Sequence, residues 1–192
     1  MKKYILILVL AFAGLQLCAQ TGLNKGGNAP VFSTTDNTGK AVDLKTLLRA
    51  HKSVVLFFYR GEWCPYCNKH IAQLQDSLQL LSAKGAYVIA VTPETKEGID
   101  KTIQKTHASF SIVQDKGYTI MKDYKVNYVL DDATVAKYKG FGLDLNASNG
   151  NTDHVLPVPA TYVINQSGKI TFVHFNKDYT RRASISDIMR AL

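Results

Sequence analysis

Apolar residues along this chain fall into two patterns, continuous runs and runs with helical spacing. Continuous runs of β-branched and aromatic residues are typical of buried strands. Such runs occur at Val54–Tyr59, Tyr87–Thr92 and Phe110–Val113. Helical spacing follows the first run, with apolar residues at Ile71, Leu74, Leu78 and Leu81. Gly85 then marks the end of the predicted helix.

Shorter elements complete the pattern. Two short strands flank a polar turn early in the chain, and a hairpin of two strands lies near its end. These strands are predicted at 31–35, 41–43, 157–165 and 170–175. Further helices are predicted at 44–49, from 94 to about 107, at 118–124 and from about 184 onward. Strands that alternate with helices before a closing hairpin indicate an α/β sheet with helices on both faces.

The stretch Val126–Val155, called the insertion below, interrupts this alternation. A helix is predicted at Asp132–Lys139, with an aspartate cap at its start and Gly140 as its stop. The segment that follows, Gly142–Asp153, is polar and rich in asparagine. A connection of this length is either a lid or partner surface, or a decorated loop.

The first residues have the shape of a secretory signal peptide. Lys2 and Lys3 precede an apolar stretch that ends near Cys18, and this stretch is short for a transmembrane span. We therefore predict a signal peptide at 1–19, a flexible tether at 20–28 and one domain at 29–192, exported to the periplasm. The alternative is a lipoprotein anchored through Cys18.

The formal net charge of +8 does not change this interpretation. The lysines are scattered along the chain, as in an ordinary solvated surface, whereas a nucleic-acid site would group them on one element. We expect no nucleic-acid partner.

The sequence Trp63-Cys64-Pro65-Tyr66-Cys67 stands where the first predicted strand gives way to a helix. A helix N-terminus carries unpaired N–H groups and a partial positive charge, which favour the reactive thiolate. A structural disulfide between Cys64 and Cys67 would close too short a loop to stabilise the fold much. The motif therefore indicates a redox-active cysteine pair, with Cys64 as the nucleophile, the more exposed of the two, and Cys67 as the resolving thiol.

The strand, the cysteine motif, the helix and a later Val158–Ile164 segment before a hairpin resemble the thioredoxin-fold superfamily. The strand pair around Asn37–Lys40, the insertion, and the segments Phe58–Cys67 and Leu156–Tyr162 are similar to its peroxiredoxin-like branch. That branch is the AhpC/TSA family (alkyl hydroperoxide reductase/thiol-specific antioxidant). The resemblance implies a thioredoxin-like fold: a central mixed sheet flanked by helices, an N-terminal β extension, and a long insertion before a cis-proline loop.

The sequence departs from the family pattern at two positions. Typical peroxiredoxins place a proline seven residues, and a threonine or serine three residues, before the peroxidatic cysteine; here these positions hold Phe57 and Gly61. The hydroxyl that would orient a bound peroxide is missing.

The resemblance also implies roles for residues around the pair. Pro159 matches the cis-proline opposite the cysteines. Trp63 either shields the pair or packs in the core. Arg60 would lower the pKa of Cys64 or contact a peroxide oxygen, with Arg181 and Arg182 as alternatives, and each arginine is otherwise a surface charge.

Three functions remain open from the sequence. The first is a peroxidase that reduces hydrogen peroxide or organic hydroperoxides through a Cys64–Cys67 disulfide and is regenerated by a thioredoxin-like thiol donor. The second is a thiol–disulfide oxidoreductase acting on protein disulfides of the cell envelope. The third is a metal-binding module using Cys64, Cys67 and a histidine such as His154. The first two need no cofactor or metal, and a homodimer is a possible assembly.

Overall fold

The computed structural model describes residues 21–192. The predicted signal peptide, Cys18 and Gln20 lie outside the described residues. Within residues 21–192, no helix has the length and apolar character needed to cross a membrane.

Strands and helices alternate much as the hydrophobic pattern predicts. The strands are β1 (Ser33–Thr35), β2 (Ala41–Asp43), β3 (Ser53–Phe58), β4 (Ala86–Thr92), β5 (Ser111–Gln114), β6 (Asn127–Val129), β7 (Val155–Pro157), β8 (Ala160–Asn165) and β9 (Ile170–Phe175). The helices are α1 (Leu44–Ala50), α2 (Pro65–Asp76), α3 (Leu78–Ala83), α4 (Lys96–Thr106), α5 (Thr119–Asp123), α6 (Asp132–Gly140), α7 (Leu145–Asn149) and α8 (Ile185–Ala191).

One predicted helix is divided in two. Ser77 ends α2, where its N–H donates to the Gln73 carbonyl at 3.2 Å, and α3 begins at the next residue. Gly85 follows α3 with a φ of 85°, a left-handed conformation that glycine adopts at little cost.

The central sheet of the described chain has the order β5-β4-β3-β8-β9. Strands β3, β4 and β5 run parallel, whereas β8 and β9 are antiparallel to their neighbours. The carboxyl ends of β3, β4 and β5 and the start of β8 therefore meet at one edge, where Phe58 pairs with both Val91 and Ala160. This mixed sheet, flanked by helices, confirms the predicted thioredoxin-like fold.

Alternate residues of the strands face two apolar cores. On one face Val54, Leu56 and Phe58 pack with residues of α1 and α5. On the other face Val55 and Phe57 pack with residues of α2, α3, α4 and α8, and both described cysteines belong to this second core. Continuous apolar strands are expected where helices cover both faces of a sheet.

The segment before β1 is bound to the domain. The Gly26 N–H donates to the Ile170 carbonyl at 2.8 Å, and the Ile170 N–H donates back to Gly27 at 2.9 Å. The Leu23 N–H reaches the Tyr162 hydroxyl at 3.2 Å. Residues 21–28, predicted as part of a flexible tether, thus lie along the start of β9.

The insertion folds as a small unit of its own. Strands β6 and β7 pair antiparallel, and α6 and α7 lie between them. Its apolar centre is formed by Leu130 and Leu145 together with Leu156 of β7, and no residue of α6 is buried. Asp131 caps α6 by accepting the Thr134 N–H at 2.8 Å, as the aspartate cap predicted.

The prediction of a cis peptide bond before Pro159 is wrong. All peptide bonds of the described chain are trans, including the bond between Val158 and Pro159. These two residues join β7 directly to β8, and the Val158 N–H donates to the Val126 carbonyl at 2.7 Å. Strand pairing holds the backbone on both sides, and the trans isomer is the favoured one even before proline.

Candidate active site

The cysteine pair lies at the start of α2. Cys64 is the N-cap of this helix, and its Sγ accepts the Cys67 N–H at 3.3 Å. Pro65 occupies the first turn, where its missing N–H has no intrahelical partner to lose. The N-terminal end of α2 therefore directs its unpaired N–H groups at Cys64, as the sequence predicted.

Both thiols are reduced and enclosed. Cys64 is 2% exposed and Cys67 is 1% exposed. The expectation that Cys64 would be the exposed cysteine is wrong, because Cys64, like Cys67, belongs to the core beneath α2.

A hydrogen bond links the two thiols and shifts their pKa values in opposite directions. Burial opposes a charge on Cys67, but a hydrogen bond from Cys64 and the positive charge of Arg182 lower the pKa of Cys67 to about 6. The same hydrogen bond with Cys67, together with burial, raises the pKa of Cys64. The pair thus loses one proton readily and holds the other, with the resting charge nearer Cys67.

Arg182 is the cation of this pair. Its Nη2 donates to the Sγ of Cys67 at 3.3 Å and lies 3.9 Å from the Sγ of Cys64. Its Nη1 is held by the carbonyls of Tyr179 and Arg181, in the segment between β9 and α8. Arg181 and Arg182 were both predicted as alternatives to Arg60 beside the cysteines. Arg182 reaches the sulfurs, whereas Arg181 pairs with Asp178 at the surface.

Arg60 lies beside the pair, enclosed by aromatic rings. The guanidinium is buried, and its centre lies 4.5 Å from the ring of Tyr179, 4.9 Å from that of Trp63 and 5.6 Å from that of Tyr138. It also donates a hydrogen bond to the Tyr138 hydroxyl. Its charge favours ionisation of Cys64, so the surface-charge alternative is wrong for this arginine.

Trp63 connects the pair to the insertion. Its indole N–H donates to the Ser148 hydroxyl at 3.1 Å, and its ring lies 5.7 Å from that of Tyr138. It packs against both the core beneath α2 and the apolar centre of the insertion. The two roles predicted for Trp63, shielding and packing, are compatible in this position.

Gly61 has a local explanation. A Cβ at this position would lie 2.3 Å from the indole nitrogen of Trp63 and 2.9 Å from the Oε1 of Glu94. The side chain that typical peroxiredoxins carry here would have no room, because Trp63 and Glu94 occupy its place.

Pro159 lies at the same edge of the sheet. It is buried and directly precedes Ala160, which pairs with Phe58 at the end of β3. Pro159 thus directly precedes β8, and the predicted cis isomer is not found there.

Two buried side chains near the pair were missed from the sequence. His70 lies one turn after Cys67 on α2, and burial, with the charge of Arg182, lowers its pKa to about 3. Glu94 follows β4 at the same sheet edge as Cys64. The sequence could have indicated Glu94, because it directly follows a predicted parallel strand and the carboxyl ends of parallel strands lie together at one edge of the sheet.

A metal centre is not assembled around the cysteines. His154 lies in the insertion, where its Nε2 pairs with Asn146 at 2.9 Å. Among residues 21–192, no group of three or more His, Cys, Asp or Glu side chains is placed to hold a metal ion.

Comparison with known proteins supplies a family match. The model of the AhpC/TSA family matches residues 26–173. A chloroplastic peroxiredoxin Q from Sedum lineare is 24% identical over 170 residues, which is 88% of this chain and 78% of that protein.

Solved structures share the fold. Peroxidoxin BcpB from Mycobacterium tuberculosis superposes with a TM-score of 0.66 at 17% identity, covering 87% of this chain and 94% of that one. The thioredoxin domain of a thiol-disulfide oxidoreductase from Bacteroides vulgatus superposes with a TM-score of 0.56 at 18% identity, covering 82% and 93%. The fold is thus similar both to that of a peroxidoxin and to that of a thiol-disulfide oxidoreductase. The choice between these two functions must therefore be argued from the residues of the site.

Proposed function

The chain belongs to the AhpC/TSA family, and from that premise we propose that it is a thiol-dependent peroxidase acting through Cys64 and Cys67. The substrate class is a hydroperoxide, and the reductant is a thioredoxin-like thiol donor. The peroxiredoxin Q relatives support both assignments.

One observation carries the proposal. Arg182 lies within 3.9 Å of both sulfurs, at a helix N-terminus, and the pKa of Cys67 is lowered to about 6. At neutral pH the pair therefore holds one negative charge, and a thiolate is the form that attacks a peroxide.

The cycle begins with a proton transfer. The proton of Cys64 moves to Cys67 along their hydrogen bond, which places the thiolate on the N-cap sulfur. The thiolate attacks one peroxide oxygen, the O–O bond breaks, and the departing oxygen takes up a proton as water or an alcohol. Cys64 is then a sulfenic acid.

The second half closes the disulfide. The Cys67 thiol attacks the sulfenic sulfur, a Cys64–Cys67 bond forms, and water leaves. A dithiol donor then reduces this bond and is itself oxidised. Two electrons from the donor thus reduce one peroxide.

Burial favours a peroxide over a protein disulfide as substrate. Cys64 is 2% exposed, and a small peroxide can reach such a sulfur with less opening of the site than a folded protein needs. The exposed rings of Tyr66 and Tyr179, which lie 6.0 Å apart beside the pair, offer a surface to a thiol donor.

A thiol–disulfide oxidoreductase remains the second candidate. The hydrogen-bonded Cys-Pro-Tyr-Cys pair and the absence of a hydroxyl at Gly61 favour it. The enclosed sulfurs favour the peroxidase instead.

The place of action is part of the proposal. The basic and apolar residues at the start of the chain support export to the periplasm after cleavage near residue 19, with lipid anchoring through Cys18 as the alternative. Mass spectrometry of the protein from the cell envelope distinguishes a free N-terminus near residue 20 from an acylated Cys18. A homodimer is tested by the mass in solution.

A competition assay tests the activity. The reduced protein, with a thioredoxin donor system, is given hydrogen peroxide, an organic hydroperoxide or insulin. The proposal predicts rapid consumption of a peroxide and slow reduction of insulin. Rapid insulin reduction with a peroxide reaction no faster than that of free cysteine would favour the second candidate.

A further inference from the structure

Glu94 is a buried carboxyl group that is paired with no cation of residues 21–192. It follows Pro93 at the end of β4 and is 0% exposed. None of the ion pairs found within residues 21–192 includes Glu94. A carboxylate is costly to bury without a partner, so its presence needs a reason.

The carboxyl group instead holds the backbone that leads to the cysteines. Its Oε1 accepts the Glu62 N–H at 2.5 Å, and its Oε2 accepts the Thr102 hydroxyl at 3.4 Å. Two glycines make room for it, because a Cβ at Gly61 or at Gly98 would lie 2.9 or 3.0 Å from Oε1.

The same loop is held from its other side by α2. The Asn68 side chain donates to the Glu62 carbonyl at 2.7 Å. The Cys64 N–H donates to the Gly61 carbonyl at 3.0 Å. The peptide groups of Glu62 are thus fixed between β4 and α2, two residues before the candidate nucleophile.

We propose that Glu94 is a positioning residue for the cysteine pair: by accepting the Glu62 N–H, it fixes the loop 61–63 and so places Cys64 at the N-cap of α2. This inference rests on the proposed function only for the identity of the reaction that positioning serves. The placement of the thiol itself is a separate quantity that can be measured without a peroxide.

The ionisation of Glu94 supports this role. Burial raises its pKa to about 7, against the hydrogen bond from Glu62, which lowers it. The titratable groups that face it are Tyr59 and Glu62, from the chain after β3, while α4 contributes the Thr102 hydroxyl. Lys105 of α4 reaches the Glu62 side chain and carbonyl. Glu94 therefore changes charge near neutral pH, and only its charged form makes a charge-assisted hydrogen bond to Glu62.

The test uses variants of the full chain. Glu94→Ala removes the acceptor, and Glu94→Gln keeps an amide oxygen but cannot ionise. Glu97→Gln is the matched control, because Glu97 is an exposed carboxylate three residues away in the first turn of α4. Iodoacetamide alkylation of Cys64 is followed from pH 5 to 9 by mass spectrometry, and peroxide reactivity is measured in parallel.

The proposal predicts that Glu94→Ala slows alkylation of Cys64 by about 10- to 100-fold at pH 7.5, since a displacement of about 1 Å costs about that much. Glu94→Gln should stay within about threefold of wild type at pH 7.5, and its rate profile should lack an ionisation near pH 7. Glu97→Gln should match wild type throughout.

Other outcomes would overturn it. Glu94→Ala within about twofold of wild type at pH 7.5 would remove the positioning role. If Glu94→Ala does not fold, Gly98→Ala replaces it, because the added Cβ presses on Oε1 without changing charge. A Gly98→Ala rate equal to wild type would then contradict the proposal. Slow peroxide reaction in every variant, with the alkylation effect intact, would refute the peroxidase and leave the positioning role standing.

Discussion

The loop that carries the cysteines and the insertion beside it are held in different ways. The loop 61–64 lies at the edge of the central sheet, tied by hydrogen bonds to Glu94 and Asn68 and enclosed by the core beneath α2. The insertion has a small apolar centre, and no residue of α6 is buried. It meets the active-site loop through Trp63, which bonds to Ser148, and through Tyr138, which bonds to Arg60.

This difference predicts that the loop and the insertion contribute to different properties, the loop to the reaction rate and the insertion to local stability. A change within the loop displaces the reacting sulfur, so its effect on the rate should be large. A change in the insertion loosens its contacts with Trp63 and Arg60 and should affect local stability more than chemistry. The predictions below test that division, from the largest expected effect to the smallest.

Replacing either sulfur tests the assignment of roles. Cys64→Ser should lower the peroxide reaction by about 1,000-fold or more, because a hydroxyl at neutral pH is a far weaker nucleophile than a thiolate. Cys67→Ser should still react once and stop as a sulfenic acid, which dimedone traps. A sulfenic acid on Cys67 in the Cys64→Ser variant would reverse the assignment.

The buried carboxyl group should cost stability as pH rises. The folded state raises the pKa of Glu94 from about 4.5 to about 7, so the folded chain binds that proton more tightly than the unfolded chain. Stability then falls between these pH values, and the full cost, about 3 kcal/mol, persists above pH 7. Glu94→Gln should remove this slope in urea unfolding measured from pH 4 to 8. An unchanged slope would mean that Glu94 does not titrate there.

Gly61→Ala should disturb the loop from within. The added Cβ would lie 2.3 Å from the Trp63 indole nitrogen, and overpacking of this kind costs about 1–3 kcal/mol. We expect a loss of about 10- to 100-fold in thiol reactivity. Gly140→Ala in α6 is the control, because a Cβ there meets nothing within 4 Å. Equal reactivity of the two variants would contradict the division between loop and insertion.

Arg182→Met should act through the charge of the pair. Removing a cation 3.3 Å from Cys67 raises the thiol pKa by about 1 to 2. The rate at pH 7 should fall by about two- to tenfold, and the deficit should vanish as pH rises above the new pKa. Thiolate absorbance against pH measures the shift directly. Arg181→Met, at a neighbouring surface arginine, should leave it unchanged.

Tyr138→Phe should have the smallest effect on chemistry. It removes the hydroxyl that accepts from Arg60, and an unsatisfied buried donor costs about 1–3 kcal/mol. Hydrogen exchange in 132–149 should rise at least about fivefold, with peroxide reactivity within about threefold of wild type. Lys137→Gln, an exposed residue of the same helix, should leave exchange unchanged. A large loss of reactivity would show that the insertion takes part in the chemistry.

Periodicity predicted the part of the molecule that depends on burial. The three continuous apolar runs became β3, β4 and β5, and the pair Cys64 and Cys67 was placed correctly at the start of α2. What the pattern could not supply were contacts between distant segments. Arg182 reaches the sulfurs from beyond β9 and could be named only as one of several arginines. Tyr138 and Ser148 reach the site from the insertion, where no residue of α6 is buried and the apolar pattern is weak.

The errors have the same origin. Cys64 was expected to be the exposed cysteine because it begins a helix, but exposure depends on the tertiary packing around it. Pro159 was expected to be cis from its place in the motif, whereas the bond between Val158 and Pro159 is trans, the isomer that is favoured even before proline. Gly61 stood out only as a departure from a pattern, and its reason lies in Trp63 and Glu94, which occupy the missing side chain's place.

The central claim is that the Cys64 thiolate reduces a peroxide directly. Rapid mixing of the fully reduced protein with hydrogen peroxide, and with an organic hydroperoxide, measures the second-order loss of the first thiol. The account predicts a rate well above that of free cysteine for at least one peroxide, followed by one intramolecular Cys64–Cys67 disulfide per peroxide consumed. A rate no faster than that of free cysteine with both peroxides would contradict it.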